Sequence, residues 1–231
     1  MFDRAAGDLR ELPSYTVSEV AHYLTVPPST IRFWSVGRGP YEPLIELPDC
    51  SPNNPTLLSF LNLVELHVLA AVRRKHGVAM PKVRKAIKYL METAPSVTDQ
   101  RHPLISYEME TDGLDLFIER YGRLINISQS GQLAMRELFQ TALHRIVRDS
   151  RKVPIRLYPF TRTEMRDAPE MVVIDPRLSA GRPVIAGTGL TTQIIAERYK
   201  AGESVTQLAR DYGREESEIE EALRCEIKLA A

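Results

Sequence analysis

The chain has 231 residues, 43% of them hydrophobic, and its 30 basic side chains cancel its 30 acidic ones. That is enough for roughly one to three domains with cores of their own, and the even charge excludes a uniformly basic nucleic-acid coat. No run of about 18 apolar residues offers a membrane span, and the opening MFDRAAGDLRELPSY lacks the apolar stretch of a signal peptide, so the expectation is a cytoplasmic protein with no membrane contact.

YTVSEVAHYLTVPPSTIRFW, residues 15–34, is the first organised stretch. Ser18 is the expected N-cap of a short helix in which Val20, Ala21 and Leu24 recur at helical spacing. Thr25-Val26-Pro27 breaks it. Pro28, whose missing N–H would be unpaired in a first turn anyway, starts a second helix with Ile31 and Trp34 facing inward. The pair has helix-turn-helix spacing. From Gly37 to Ser59, Gly, Pro and Asn surround two apolar runs, PLIEL and TLLSF, which predict two strands joined by PDCSPNN in a wing-like hairpin. Helices are expected over Asn62–His76 and Pro81–Glu92, the second again started by a proline. Residues 10–95 are thus a first domain, and the polar VTDQRHP is its exit.

In the middle region, 103–163, the runs LISYEME, LDLFIERY and RLINIS predict a small meander of strands. A helix over Ser130–Arg148 follows, with Leu133, Leu138, Phe139, Ala142, Leu143 and Ile146 along one side. Beyond TRTEMRDAPE, the last domain, 170–231, has two short strands with tight glycine turns in MVVIDPRLSAGRPVIAGTGLTT, then three helices beginning near Thr192, Val205 and Glu216. The expected class is mainly α with small β elements, α+β, with a second helix-turn-helix at the end.

Charge is segregated along the chain. Between His67 and Met91 stand Arg73, Arg74, Lys75, Lys82, Arg84, Lys85 and Lys88 without a carboxylate, whereas 211–228 is acidic. Ser29, Thr30 and Arg32, early on the second helix, are the candidates for a DNA major groove, with Arg38 just past its end. Asn53 and Asn54, on the expected wing loop, are candidates for a backbone or minor groove. Arg73, Arg74, Lys82, Arg84 and Lys85 are candidates for phosphates, since neutralising phosphates releases counterions. The alternative for these cations is a solvated helix face.

YTVSEVAHYLTVPPSTIRFWSVG, a wing, and then LLSFLNLVELHVLAAVRRKHGVAMPKVRKAIKYL resemble the DNA-binding domain of MerR-type regulators over residues 14 to 92. The resemblance implies a winged helix-turn-helix that grips a bent operator as a dimer. No long dimerisation helix follows, because Pro95 and Pro103 intervene, so the apolar face of 133–147 is the substitute candidate for self-association. The order Asp-Pro, Gly-Arg-Pro-Val-Ile-x-Gly-Thr-Gly, helix, Gly-Glu-Ser and a helix-turn-helix resembles the small domain of VapB-like antitoxins. That resemblance implies a type II toxin–antitoxin module: an antitoxin that blocks a partner toxin, commonly a PIN-like ribonuclease, and binds operator DNA to repress their operon, as a homodimer or higher oligomer.

The tail argues differently from the first helix pair. Glu215, Glu216, Glu218, Glu220 and Glu221 would repel phosphates. They are therefore candidates for contact with a basic protein partner, the alternatives being a solvated face or self-association. SAGRPVIAGTGL lacks the endings of a P-loop or dinucleotide turn and is read as turn glycines. His22, His67, His76, His102 and His144 are scattered with no catalytic motif around them, so no enzyme is expected. Cys50 and Cys225 lie far apart with no Cys or His at metal-ligand spacing, so no disulfide framework, metal or cofactor is expected. Asp112, Asp115 and Glu119 could hold a hard cation, but Thr-Asp-Gly is more simply a turn. A stand-alone MerR-like regulator and a protein-interaction module without DNA binding are the remaining alternatives.

Overall fold

Strand β1 (Tyr15–Thr16) opens the described chain and runs straight into helix α1 (Val17–Tyr23). The computed structural model describes residues 8–48, 55–74, 80–93, 101–106, 114–115, 117–119, 129–162 and 168–227, with the side chains of 74, 80–82, 90, 93 and 129–131 left aside. These residues form a mainly helical α+β fold with small antiparallel strand pairs. The chain divides into two compact units, 1–154 and 155–231, so the expected middle region is shared between them.

In the first unit Thr16, not Ser18, is the N-cap of α1. Its hydroxyl accepts from the Glu19 N–H while the Glu19 carboxylate accepts from the Thr16 N–H, a reciprocal box worth about 0.5–2 kcal/mol. After Leu24–Pro27, with Thr25 at φ 54, α2 (Pro28–Ser35) begins on its proline as expected. Val20, Ile31 and Trp34 are wholly buried between the two helices and their support.

Among the described residues the two runs expected to form the wing do not pair with each other. PLIEL is not a strand: the Leu44 N–H donates to Trp34 O (2.7 Å) and the Asn62 side-chain amide donates to Glu46 O (2.7 Å), so a helix end and a side chain satisfy its backbone. TLLSF contributes β2 (Leu57–Leu58), which pairs antiparallel with β1, Tyr15 opposite Leu58. The hairpin that does exist is smaller and earlier. Arg38 and Tyr41 exchange both backbone hydrogen bonds (3.0 and 3.1 Å) around Gly39-Pro40. Gly37, at φ +84, must be glycine there, since a Cβ would lie 2.4 Å from Tyr41 O.

Helix α3 (Phe60–Arg74) is buried all round from Phe60 to Val72, as a central helix must be. Phe60, Leu63, Leu66 and Leu69 are fully buried, each contributing about 1.5–3 kcal/mol of transfer free energy. Helix α4 (Met80–Thr93) follows. In the middle, Leu114, Asp115 and 117–119 of LDLFIERY are helical rather than strand, and Leu104 and Ile105 of LISYEME, with Pro103 before them, form a 3-10 turn; 107–110 of that run and RLINIS lie outside the described residues. Helix α5 (Gln129–Leu143) stops short of the expected end, and Ile146–Arg148 is strand β3. Met135, Phe139, Ala142 and Leu143 of α5 are buried; the helix packs on α3, and Phe139 meets Phe117 at 4.9 Å. Most of the apolar face expected to serve self-association is therefore spent inside the unit, while Leu133, at 58% exposure, is not.

The second unit follows the sequence closely. Strand β4 (Pro154–Leu157) bridges through Leu157 to Ile174, beside β5 (Val172–Val173), which pairs antiparallel with β6 (Val184–Ile185). Then come α6 (Thr192–Lys200), α7 (Val205–Tyr212) and α8 (Glu216–Glu226), packed around Ile185, Ile195, Leu208, Ile219 and Ala222. Each helix start is capped, by Thr191, by a Ser204–Gln207 box and by a Glu215–Glu218 box, and Gly213 ends α7 in the left-handed region.

Candidate nucleic-acid interface and acidic C-terminal face

Helix α2 turns Thr30, Ile31, Trp34 and Ser35 inward, leaving Ser29 and Arg32 exposed. Thr30 is a correction. It lies four residues before Trp34, hence on the same helical face, and is buried at 9% exposure where a groove contact was expected. Arg38 is exposed beside the Gly39-Pro40 turn, while Asn53 and Asn54 lie outside the described residues.

The expected phosphate-facing cations do not all share one surrounding. Arg73 is exposed at the end of α3, its guanidinium 5.9 Å from the Trp34 ring; Lys85 and Lys88 are exposed on α4. Arg74 and Lys82 belong to α3 and α4, and their side chains are outside the description. Arg84 departs from expectation: its guanidinium sits over Phe33 (5.4 Å) and Tyr41 (6.0 Å), and its Nε and Nη1 are buried without a hydrogen-bond partner. Burial pulls its pKa down against the opposing pull of Glu42 and Tyr41. Arg84 holds α4 against α2 and the 38–41 turn rather than standing in solvent.

Beneath this surface lies a group that motif reading missed. His102 Nδ1 meets fully buried Glu65 of α3 at 3.0 Å, and His102 Nε2 meets Glu11 at 3.3 Å. Burial acts against the imidazolium, but the Glu65 charge and the hydrogen bonds to Glu11 and Glu65 outweigh it and push the ring up to about 10. Burial raises the Glu65 carboxyl, and the hydrogen bond to His102 lowers that of Glu11. The one local signal was a glutamate inside the apolar run FLNLVELHVLAAV. A second clamp joins Arg10 to Asp8 (2.6 Å) and Asp149 (2.8 Å). Asp115 pairs with Arg136, and no group of three or more His, Cys, Asp or Glu that could hold a metal occurs among the described residues.

In the second unit the acidic tail is narrower than its composition. Glu215, Glu216 and Glu220 are exposed; Glu218 is half-buried and paired with Arg214. Glu221, expected on the open acidic face, is fully buried. It accepts from Thr161, Arg162 (2.7 Å) and Arg224 (2.9 Å), because Ile219, Ala222 and Leu223 turn its side of α8 into the core. Burial pushes its carboxyl up, and these donors more than offset that, holding it below the usual range. Glu215, Glu216 and Glu218 all sit at the N-terminus of α8, where acids favour the helix dipole in any case. Asp175, from the Asp-Pro motif, is 1% exposed and gathers Arg177 (2.8 Å) and Arg156 (3.0 Å); burial opposes its charge, but these hydrogen bonds hold it at about 2.

Three comparisons set this geometry among known proteins. Residues 172–224, from β5 into α8, match a family described as a protein of unknown function, DUF433. Over 236 aligned residues the chain is 29% identical to a Mycobacterium tuberculosis protein named "Putative antitoxin VapB45", covering 92% of this chain and 93% of that one. The crystal structure of Rv2018 from Mycobacterium tuberculosis shares the fold, with a TM-score of 0.69 at 24% identity over 92% of this chain and 98% of that chain. The C-terminal unit is thus similar to the DUF433 family over 172–224, within a chain whose likeness to the mycobacterial protein runs nearly end to end.

Proposed function

We propose that this chain is the antitoxin of a type II toxin–antitoxin pair, a non-enzymatic protein that neutralises a cognate PIN-like ribonuclease and binds operator DNA to repress their operon. The observation that carries the reading is the similarity to the named antitoxin across 92% of the chain. The MerR-like reading of 10–95 adds the DNA part. Exposed Ser29 and Arg32 on α2, with Arg38 beyond it, would meet the groove. Arg73, Lys85 and Lys88 would meet phosphates, and Arg84 would hold the 38–41 turn in place of the wing. A homodimer would match two operator half-sites. The toxin would be met by 103–163 or 170–231, where exposed Glu215, Glu216 and Glu220 suit a basic surface and speed encounter with it.

The test is purification of the protein, tagged at its native locus, with nuclease present, followed by intact-mass analysis of what stays bound. A small basic companion in fixed ratio is expected. A homo-oligomer alone, with neighbouring genes expressed, would replace this reading with a stand-alone MerR-like regulator.

A further inference from the structure

The Asp-Pro-Arg motif of the second unit builds a cluster that the proposed function does not use. Asp175 is wholly buried, and Arg177 alone satisfies its carboxylate. Oδ1 accepts from the Arg177 backbone N–H (2.9 Å) and Nε (3.0 Å), and Oδ2 from its Nη2 (2.8 Å). A second guanidinium is nevertheless held there, Arg156 donating from Nε to the same Oδ2 (3.0 Å). The backbone fixes both. Leu157 and Ile174 exchange two hydrogen bonds (2.9 and 2.8 Å), which sets Arg156 across from Asp175, and the Leu178 N–H donates to Asp175 O (2.9 Å), closing a turn around Arg177. One carboxylate neutralises only one of two neighbouring cations, so a positive charge is left over. Both guanidinium groups reach water, at 44% and 56% exposure, and the two terminal NH2 groups of Arg156 meet no acceptor among the described residues.

The turn that follows adds no competing anion. No carboxylate occurs between Asp175 and Glu197, and exposed Arg182 ends the turn. Ser179 and Ala180 are held there in the left-handed region (φ 47 and 55), although both are exposed and no core packing imposes it; the Ser179 hydroxyl donating to Gly189 O (3.0 Å) locks the turn. Backbone strain kept at a surface is the mark of a site. We infer that Arg156 and Arg177 form a binding site for a phosphate group, free or at the monoester end of a small molecule. The planar Arg156 fork takes two phosphate oxygens at once, and a tetrahedral anion keeps further oxygens toward the charge of Arg177 beside it. A carboxylate brings only two oxygens and one charge, and a phosphodiester only one charge, so the dianion gains most from the positive charge left over. The site requires neither toxin nor operator.

Arginine Nε–Hε NMR of the full chain, freed of nucleic acid, tests this at about pH 8, where a phosphate monoester is a dianion. Inorganic phosphate should move the Arg156 signal saturably and bind roughly tenfold more tightly than acetate or dimethyl phosphate. Phenyl phosphate binding more tightly than inorganic phosphate would assign the monoester, and equal binding the free anion; both bear out the site. Arg156→Gln, read at the Arg177 signal, should lose roughly tenfold or more in phosphate affinity, and Arg177 still satisfies Asp175 in that variant. Arg156→Lys keeps the charge without the fork and should bind between the two, which keeps the test sound if the glutamine disturbs folding. No saturable shift, an equal response to acetate, or affinity unchanged by Arg156→Gln would overturn the inference. Equal binding of dimethyl phosphate would overturn it too, by pointing to a nucleic-acid backbone instead.

Discussion

Two regions of this molecule share a local design and differ in what they show to solvent. α1–α2 and α7–α8 are both pairs of short helices joined by a tight turn, with capping boxes on Thr16, Ser204 and Glu215. In the first pair the second helix exposes Ser29 and Arg32; in the other it exposes Glu215, Glu216 and Glu220. Caps and turn define the helix pair, but they do not say what it touches. Charge on the open side of the second helix separates a surface suited to phosphates from one that repels them.

The two units that hold these helix pairs also anchor a buried carboxylate differently, and that difference sets the largest expected effects. Glu65 faces His102 with no exposure of its own, so His102→Gln strands it and should cost about 3–5 kcal/mol of stability. The pH dependence follows the same pair. His102 is raised in the folded chain, so its contribution is fully present below its unfolded pKa of 6.5 and is lost as pH rises through about 10. Urea unfolding between pH 6.5 and 10 should show that decline in the wild-type protein and a flatter profile in the variant. An unchanged profile would remove the clamp from the account.

Glu221 is the counterpart in the second unit. Its partners Arg162 and Arg224 reach water, so Glu221→Gln leaves no buried charge behind and should cost less, about 1–3 kcal/mol. Thermal unfolding measures it. A variant as stable as the wild type would return Glu221 to the surface role expected from sequence. Asp175, held at about 2, contributes stability that is present above its unfolded pKa of 3.8 and lost as pH falls through about 2. Acid titration of Asp175→Asn should therefore differ from wild type most near pH 4 and converge below pH 2. The smallest effect belongs to the open acids. Glu216→Lys with Glu220→Lys should slow association with the companion protein and weaken its salt dependence, at a cost in affinity of about 1 kcal/mol or less. Unchanged association kinetics would assign those acids to solvation of α8 alone.

The sequence was most legible where structure is local. The starts of α6, α7 and α8 fall at Thr192, Val205 and Glu216, where the sequence placed them, and that of α2 at Pro28. Legibility ended where partners come from far along the chain. Glu65 and His102 are 37 residues apart, Glu11 and His102 91, and Thr161 and Glu221 60. No local pattern announces such pairs. Thr30 was placed on the wrong face although its spacing to Trp34 already implied burial. The helical residues 114–115 and 117–119 were read as strand because a short apolar run carries no period of its own.

The most direct measurement is fluorescence anisotropy of the full chain on duplex DNA from upstream of its own gene, at several salt concentrations, for wild type, Arg32→Ala and Glu216→Lys. The account predicts steep salt dependence for the wild type and a loss of about 1–3 kcal/mol for Arg32→Ala. Glu216→Lys should bind as the wild type does. Binding insensitive to salt, or lost through Glu216 and not through Arg32, would contradict the division between the two helix pairs.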